Sequence, residues 1–279
     1  IMERPIPIIA DEFVDSAFAS GAVKVTPAHD PDDFKIAQRN RLPSVKVINE
    51  LGRMTEASGK YQGMDRFECR RELVENLKEK GYLEKIQDYD YSIGHCYRCH
   101  VILEPLVSEQ WYLKTGEMAK RAIGVAKQKR VRFIPESWTK PYLNWLEDLH
   151  DWCISRQIWW GHRIPVWYCQ KGCPPVAEVS KPERCPECGS DSLIQDPDVL
   201  DTWFSSALWP FSTFGWPKEG GKPSEKKKTE KVVDELDYYY PTSVLVTGYE
   251  ILYLWVARMV MMGMTLMDDI PFSDVFIHG

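Results

Sequence analysis

The chain of 279 residues has no Arg-rich presequence, no signal-type apolar segment and no apolar run of spanning length. Its longest apolar stretch, Ile251 to Met267, is interrupted by Arg258 and Gly263 and reads as a buried amphipathic helix. Excess positive charge is missing too. The formal net charge is −6, so any RNA contact must come from local patches rather than a global field. No internal repeat is present. The eight cysteines are not spaced as a disulfide framework; part of them fall into short pairs, which fits a reducing, cytoplasmic setting. The chain starts Ile1-Met2, and we expect it to be an excised piece of a longer protein.

What is present begins with two cysteine pairs, Cys169-x3-Cys173 and Cys185-x2-Cys188. Two short loops that each offer two thiolates supply the four soft ligands of a tetrahedral zinc ion. Pro174, Pro175, Pro186 and Gly189 suit the turns such loops need. A closed four-Cys site stabilises a small lobe and performs no chemistry. A further pair, Cys96-x2-Cys99, is a possible half-site, and His95 and His100 on the same loop would make a strained tetrahedron with it.

Periodicity supplies the rest of the organisation. Pro5–Ala10 and Ala22–Val25 are short β-like runs, and Pro31 opens a helix over Asp32–Asn40 with acidic residues in its first turn. Asp65 is placed to cap a second helix with Phe67, Leu73, Val74 and Leu77 inward and Gly81 at its end. A third helix spans Gly116–Lys129, with Met118, Ala119, Ala122, Val125 and Ala126 inward. Thr139 and Pro141 read as the cap and first turn of a fourth helix, running through Trp145 and Leu149. The segment from Pro217 to Glu235, with its Lys226–Lys228 run, reads as an exposed loop. Val244–Val246 reads as a buried strand, Thr247-Gly248 as a tight strand-to-helix turn, and Val275–Ile277 as a last strand.

Four strings then carry a resemblance: GAVKVTPAHDPDDF (21–34), DLHDWCISRQIWWGHRIPVW (148–167), DPDVLDTWFSSALWPF (196–211) and VLVTGYEILYLWVAR (244–258). In this order they resemble the class I aminoacyl-tRNA synthetases of the valine, isoleucine and leucine subgroup. The phrase DTWFSSAL has the valine form. The fold implied is α/β: the C-terminal part of an editing domain, mixed α/β and barrel-like, joined to the second half of a Rossmann-type core with a zinc knuckle. The implied boundaries are residues 1–92 for the editing part, 93–168 for the return into the core, 169–195 for the knuckle and 196–279 for the second Rossmann half.

The resemblance implies two sites. Trp203, Ile251 and Trp255 match the walls of the valine pocket, and Thr247, Gly248 and Glu250 match positions beside the aminoacyl-adenylate. The family usually has Asp where this chain has Glu250. From pattern alone, Trp203, Ile251 and Trp255 are three ordinary core residues. Lys24, Thr26, Asp30 and Asp33 match the editing pocket that hydrolyses mischarged threonyl-tRNA, with Asp33 toward the substrate amino group. From pattern alone, they form a helix cap with solvated acids. A matching cysteine pair for Cys96 and Cys99 lies in the family before the editing insertion. The implied partners are valine, ATP with Mg2+ and tRNA(Val), alongside a structural zinc ion, in a monomeric protein with no membrane contact. The family's His-Ile-Gly-His and Lys-Met-Ser-Lys-Ser types of ATP motif are absent from this chain, so on its own it is expected to be inactive in aminoacylation. Two rivals carry less. A zinc-ribbon RNA-binding module would want a basic face around the thiols, and a free-standing editing hydrolase would not need the residues after about Asp90.

Overall fold

The computed structural model describes residues 5–17, 20–217 and 235–279, in two compact units, Ile1–Glu109 and Gln110–Gly279. The Lys226–Lys228 run, and with it most of the expected loop from Pro217, lies outside the described residues.

In the first unit, helix α1 (Pro31–Asn40) starts where Asp30 lies in extended backbone and its carboxylate accepts from the amides of Asp32 and Asp33. Pro31 loses nothing there, because the first-turn N–H groups have no helical partner. Helix α2 (Arg66–Glu79) is capped the same way by Asp65 and stops before Gly81, which takes φ +71°. Only Cys69 of α2 is fully buried; Phe67, Leu73, Val74 and Leu77 are half-buried. The expected β-runs at Pro5–Ala10 and Ala22–Val25 are not strands. Pro5 and Pro7 cannot donate to a ladder, and Ile6 and Ile8 stand exposed without a partner strand. Pairing within the described residues of this unit is limited to isolated bridges such as Ile48 with Met54.

The second unit opens with β1 (Tyr112–Leu113), then α3 (Gly116–Lys127), whose Met118, Ala119, Ala122, Val125 and Ala126 are buried as their helical spacing predicts. Strand β2 (Arg132–Ile134) and helix α4 (Thr139–Glu147) follow. Thr139 is not the cap expected for α4. A 3-10 turn, Glu136–Trp138, runs straight into the helix, so no extended residue precedes it to fold a side chain back. Strand β3 (Trp152–Cys153) pairs with β1, and β4 (Ser155–Arg156) pairs with a later strand. A small antiparallel sheet has β5 (Val166–Cys169) between β6 (Val176–Ala177) and β7 (Leu193–Gln195). Strand β8 (Val199–Leu200), the partner of β4, leads into helices α5 (Thr202–Ser206) and α6 (Trp209–Ser212), and α7 (Glu235–Tyr239) comes before the last sheet.

That sheet is parallel, in the order β2, β10 (Phe272–His278), β9 (Thr242–Gly248). A single long helix, Tyr249–Met267, connects β9 to β10, so the pair forms a βαβ unit of the doubly wound kind. Val275 sits opposite Leu245 on one side and Phe133 on the other, and all three are buried in the core. The expectation of a fully buried Val244–Val246 is corrected: Leu245 is buried, but Val244 and Val246 are 50% and 65% exposed. Strand side chains alternate between faces, and the described residues cover only one face.

The long helix begins with a 3-10 turn and contains two π-helical segments, Leu252–Val256 and Gly263–Met267. Its 19 residues and mean hydropathy of 1.4 would suffice to cross a membrane by length and composition, against the expectation that no run does. Half of that segment is buried inside the unit, and Leu252, Val256, Ala257 and Met259 through Met262 belong to the central core with α3. Its apolar character is therefore accounted for by packing.

Candidate functional site

The four thiols of Cys169, Cys173, Cys185 and Cys188 lie within 4.8 Å of one another, with Cys169 Sγ 3.6 Å from Cys188 Sγ. Strand β5 delivers Cys169, and the turn that closes with Gly189 N donating to Cys185 O brings Cys185 and Cys188 to face it. The group can hold a metal ion. Tetrahedral bonds of about 2.3 Å place sulfurs about 3.8 Å apart, which these thiols reach. Their environments differ. The backbone amides of Cys188 and Glu187 pull the Cys185 thiol down to about 7, whereas hydrogen bonding with Cys188 and burial push Cys173 up to about 12. The lobe around them has a very small core, Trp167, Cys169, Cys185 and Leu193. Cys96 and Cys99 face each other on a separate turn, where backbone amides of Cys99 and Arg98 lower the Cys96 thiol. Among the described residues they gain no third ligand of the His, Cys, Asp or Glu type.

Trp203 lies in α5, whose N-terminus is capped by Asp201 through Trp203 N at 3.2 Å. Trp255 lies on the long helix, and its indole Nε1 donates to Ser206 O at the end of α5, 3.0 Å away. Both tryptophans are half-buried against the central core, and Trp255 also packs on Trp209, ring centroids 5.9 Å apart. Trp203 and Trp255 thus lie on two helices joined by that hydrogen bond, both packed against the central core. Ile251, also half-buried, ends the first turn of the same long helix. Thr247 is buried with its Oγ1 unpartnered at the end of β9. The Glu250 carboxylate folds over Gly248 so closely that a Cβ there would collide with it.

The acidic loop of the first unit converges less than its sequence suggests. Asp33 is buried, and its Oδ2 accepts from Thr26 N at 2.6 Å and from Thr26 Oγ1 at 2.9 Å. Asp30 serves the helix cap, and Lys24 is exposed. So Thr26 and Asp33 form one unit, without Asp30 and Lys24. His29 adds a member that sequence reasoning passed over. Its Nε2 accepts from Val47 N at 2.9 Å, which leaves Nδ1 to donate to Pro105 O at 3.2 Å. This fixes the neutral Nδ1–H tautomer and ties the loop to neighbouring segments of its own unit.

Two carboxylates of the second unit were also missed. Asp196 Oδ2 accepts from Trp111 Nε1 at 2.8 Å and from Tyr168 OH at 2.9 Å. Asp201 Oδ2 accepts from Trp152 Nε1 at 2.9 Å, Arg156 Nη2 at 2.8 Å and Arg258 Nη1 at 3.4 Å. Both residues are 5% exposed. The Arg258 guanidinium lies 3.8 Å from the Trp152 ring centroid, and burial lowers its pKa despite Asp201 beside it. The only advance signal was that the two acids stand at the ends of the DPDVLD string while DWCISRQ carries a Trp and an Arg.

The sequence profile of the class I tRNA synthetases for isoleucine, leucine, methionine and valine matches residues 47–279. That of the leucyl-tRNA synthetase editing domain matches residues 1–89. The valine–tRNA ligase of Thermotoga maritima is 54% identical over 279 residues, covering 100% of this chain and 31% of that protein. The ligases of Carboxydothermus hydrogenoformans and Clostridium tetani are 52% and 50% identical over the whole chain, which spans 30% of each. The chain thus covers under a third of the length of these relatives. With its βαβ core and the motif positions mapped onto it, the chain belongs to the class I tRNA synthetase family of the isoleucine, leucine, methionine and valine enzymes.

Proposed function

We propose that this chain is an internal part of a valine–tRNA ligase, which joins valine to tRNA(Val) at the expense of ATP and hydrolyses mischarged threonyl-tRNA. The observation that carries the reading is identity of 54% over the entire chain to a ligase of that specificity. In this reading residues 1–92 belong to the editing domain, barrel-like once completed, and 93–168 return the chain to the core. Residues 169–195 form the zinc knuckle, and 196–279 the second Rossmann half. Trp203, Ile251 and Trp255 wall a shallow apolar slot for the valine side chain. Thr247, Gly248 and Glu250 face the adenylate, and the unpartnered, buried Thr247 Oγ1 is suited to accept a hydrogen bond there. The part played by these residues is to position valine, since the ATP motifs and their Mg2+ lie elsewhere in the ligase. A small apolar slot cannot reject isosteric threonine strongly, and valine enzymes are the known instance that requires a second sieve. Asp33 and Thr26 supply it, with Lys24 and Asp30 at its edge. Zinc on the four thiols would supply structure alone. The full ligase acts in the cytoplasm as a monomer.

The test is Trp255→Ala in the full-length ligase, after thermal unfolding has shown the variant folded, since truncating even a half-buried aromatic costs stability, up to about 3–5 kcal/mol when fully buried. The valine KM should rise by about tenfold or more, with the ATP KM little changed. An unchanged valine KM, with no admission of larger amino acids, would remove the slot from Trp255.

A further inference from the structure

Helix α5 has five residues, too few to hold a helix without outside support. It is clamped to the long helix at both ends. At its start Asp201 caps it through Trp203 N and receives Arg258 Nη1 from the long helix. At its end Ser206 O receives Trp255 Nε1 from the same helix. Asp201 also gathers Trp152 Nε1 and Arg156 Nη2 from β3 and β4. Arg258 follows Trp255 by three positions on the helix.

A buried carboxylate with two guanidiniums is an uneconomical way to gain stability, because desolvation offsets most of the attraction and apolar packing of similar volume does as well. What it supplies is fixed geometry: each donor has one direction and one length. We infer that Asp201 is a positioning residue that sets the separation of Trp203 from Trp255, and with it the discrimination of valine from aliphatic amino acids one methylene larger. The inference rests on the reading of that interface as the valine slot. Asp201 touches neither substrate in this account; it acts through the two tryptophans.

The experiment uses the full-length ligase with Asp201→Asn, Arg258→Lys and Trp255→Ala, each compared with the parent in amino-acid-dependent pyrophosphate exchange. Valine and isoleucine are the probes. One methylene in an apolar pocket is worth roughly 10–200-fold, so Asp201→Asn should narrow the valine-to-isoleucine ratio by about tenfold. The valine KM should rise by about tenfold with kcat changed less than about threefold, because the loss falls on binding geometry. Arg258→Lys keeps a cation beside Asp201 and should lie between Asp201→Asn and the parent. If Asp201→Asn is folded and keeps both ratio and KM while Trp255→Ala alters them, the positioning role is overturned and the slot stands. If neither variant alters them, the slot itself fails and the inference with it. A fall in kcat with the ratio preserved assigns Asp201 to general stability and also overturns it. Should Asp201→Asn not fold, Arg258→Lys decides: an unchanged ratio counts against the inference, a narrowed one for it.

Discussion

Asp196 should be the costliest side chain to lose at the base of the cysteine lobe. It is 5% exposed, and it accepts at 2.8 Å from Trp111 Nε1, at 2.9 Å from Tyr168 OH and at 2.9 Å from Asp198 N. Hydrogen bonds to a charged group are worth about 1.5–3 kcal/mol each when one partner is removed, and the cost falls where water can replace the partner. Tyr168 is 37% exposed, so in Tyr168→Phe the carboxylate finds water at that edge, and the loss should be about 1 kcal/mol. Trp111→Phe removes a more enclosed donor and should cost about 2 kcal/mol. Asp196→Ala strands the Trp111 indole N–H and the Asp198 amide together, and should cost about 4 kcal/mol. Urea unfolding followed by tryptophan fluorescence reads these differences. All eleven tryptophans fall at Trp111 or later, so the signal comes from the second unit alone. With a slope of about 2 kcal/mol per molar urea, the midpoint should drop by about 2 M for Asp196→Ala and about 0.5 M for Tyr168→Phe. An Asp196→Ala midpoint within about 0.5 M of the parent would refute the reasoning. So would a Tyr168→Phe loss as large as that of Asp196→Ala.

Metal analysis of this protein should find about one equivalent of tightly held zinc, absent in Cys185→Ser; less than half an equivalent in the parent would sink that assignment. The metal should be released as pH falls, since protons compete with it for the thiolates. Retention undiminished through mildly acidic pH would count against thiolate ligation. In the full-length ligase, Asp33→Ala should impair clearance of threonyl-tRNA and leave valine activation near normal, because its carboxylate accepts from Thr26 within its own loop. Normal clearance would take Asp33 out of the editing site.

Local signals were legible in the sequence because their physics is local. Asp30 and Asp65 cap their helices as read, and the inward face of α3 follows from spacing alone. The four thiols converge because each short turn holds its own pair and the pairing of β5 with β7 brings the two turns together. Thr139 misled because a capping residue is defined by the backbone before it, and here that backbone is already a 3-10 turn. Val244 and Val246 misled because apolar β-branched residues say strand without saying how many faces are covered. Asp196 and Asp201 could not have been read as hubs. Their donors Trp111 and Trp152 lie 85 and 49 positions earlier in the chain, and no periodicity spans such distances. At Thr26 and Asp33 the composition was legible but the pairing was not, since Asp30 could equally have turned inward.

The cysteine lobe leaves and rejoins the chain at a single seam. Ile164 N donates to Asp198 O, Asp196 N to Val166 O and Leu200 N to His162 O, at 3.1, 2.9 and 2.7 Å. Because departure and return are stitched side by side, the lobe is a closed excursion. Residues could be inserted between Val179 and Arg184, past β6 and the Glu178 carbonyl that accepts from Trp167 Nε1, without moving Asp201 or the helix it begins. Such a seam makes the lobe exchangeable: its length can change under little constraint from the core. For protein engineers the same seam is a graft point, where a foreign module could be carried ahead of α5 without reshaping the core.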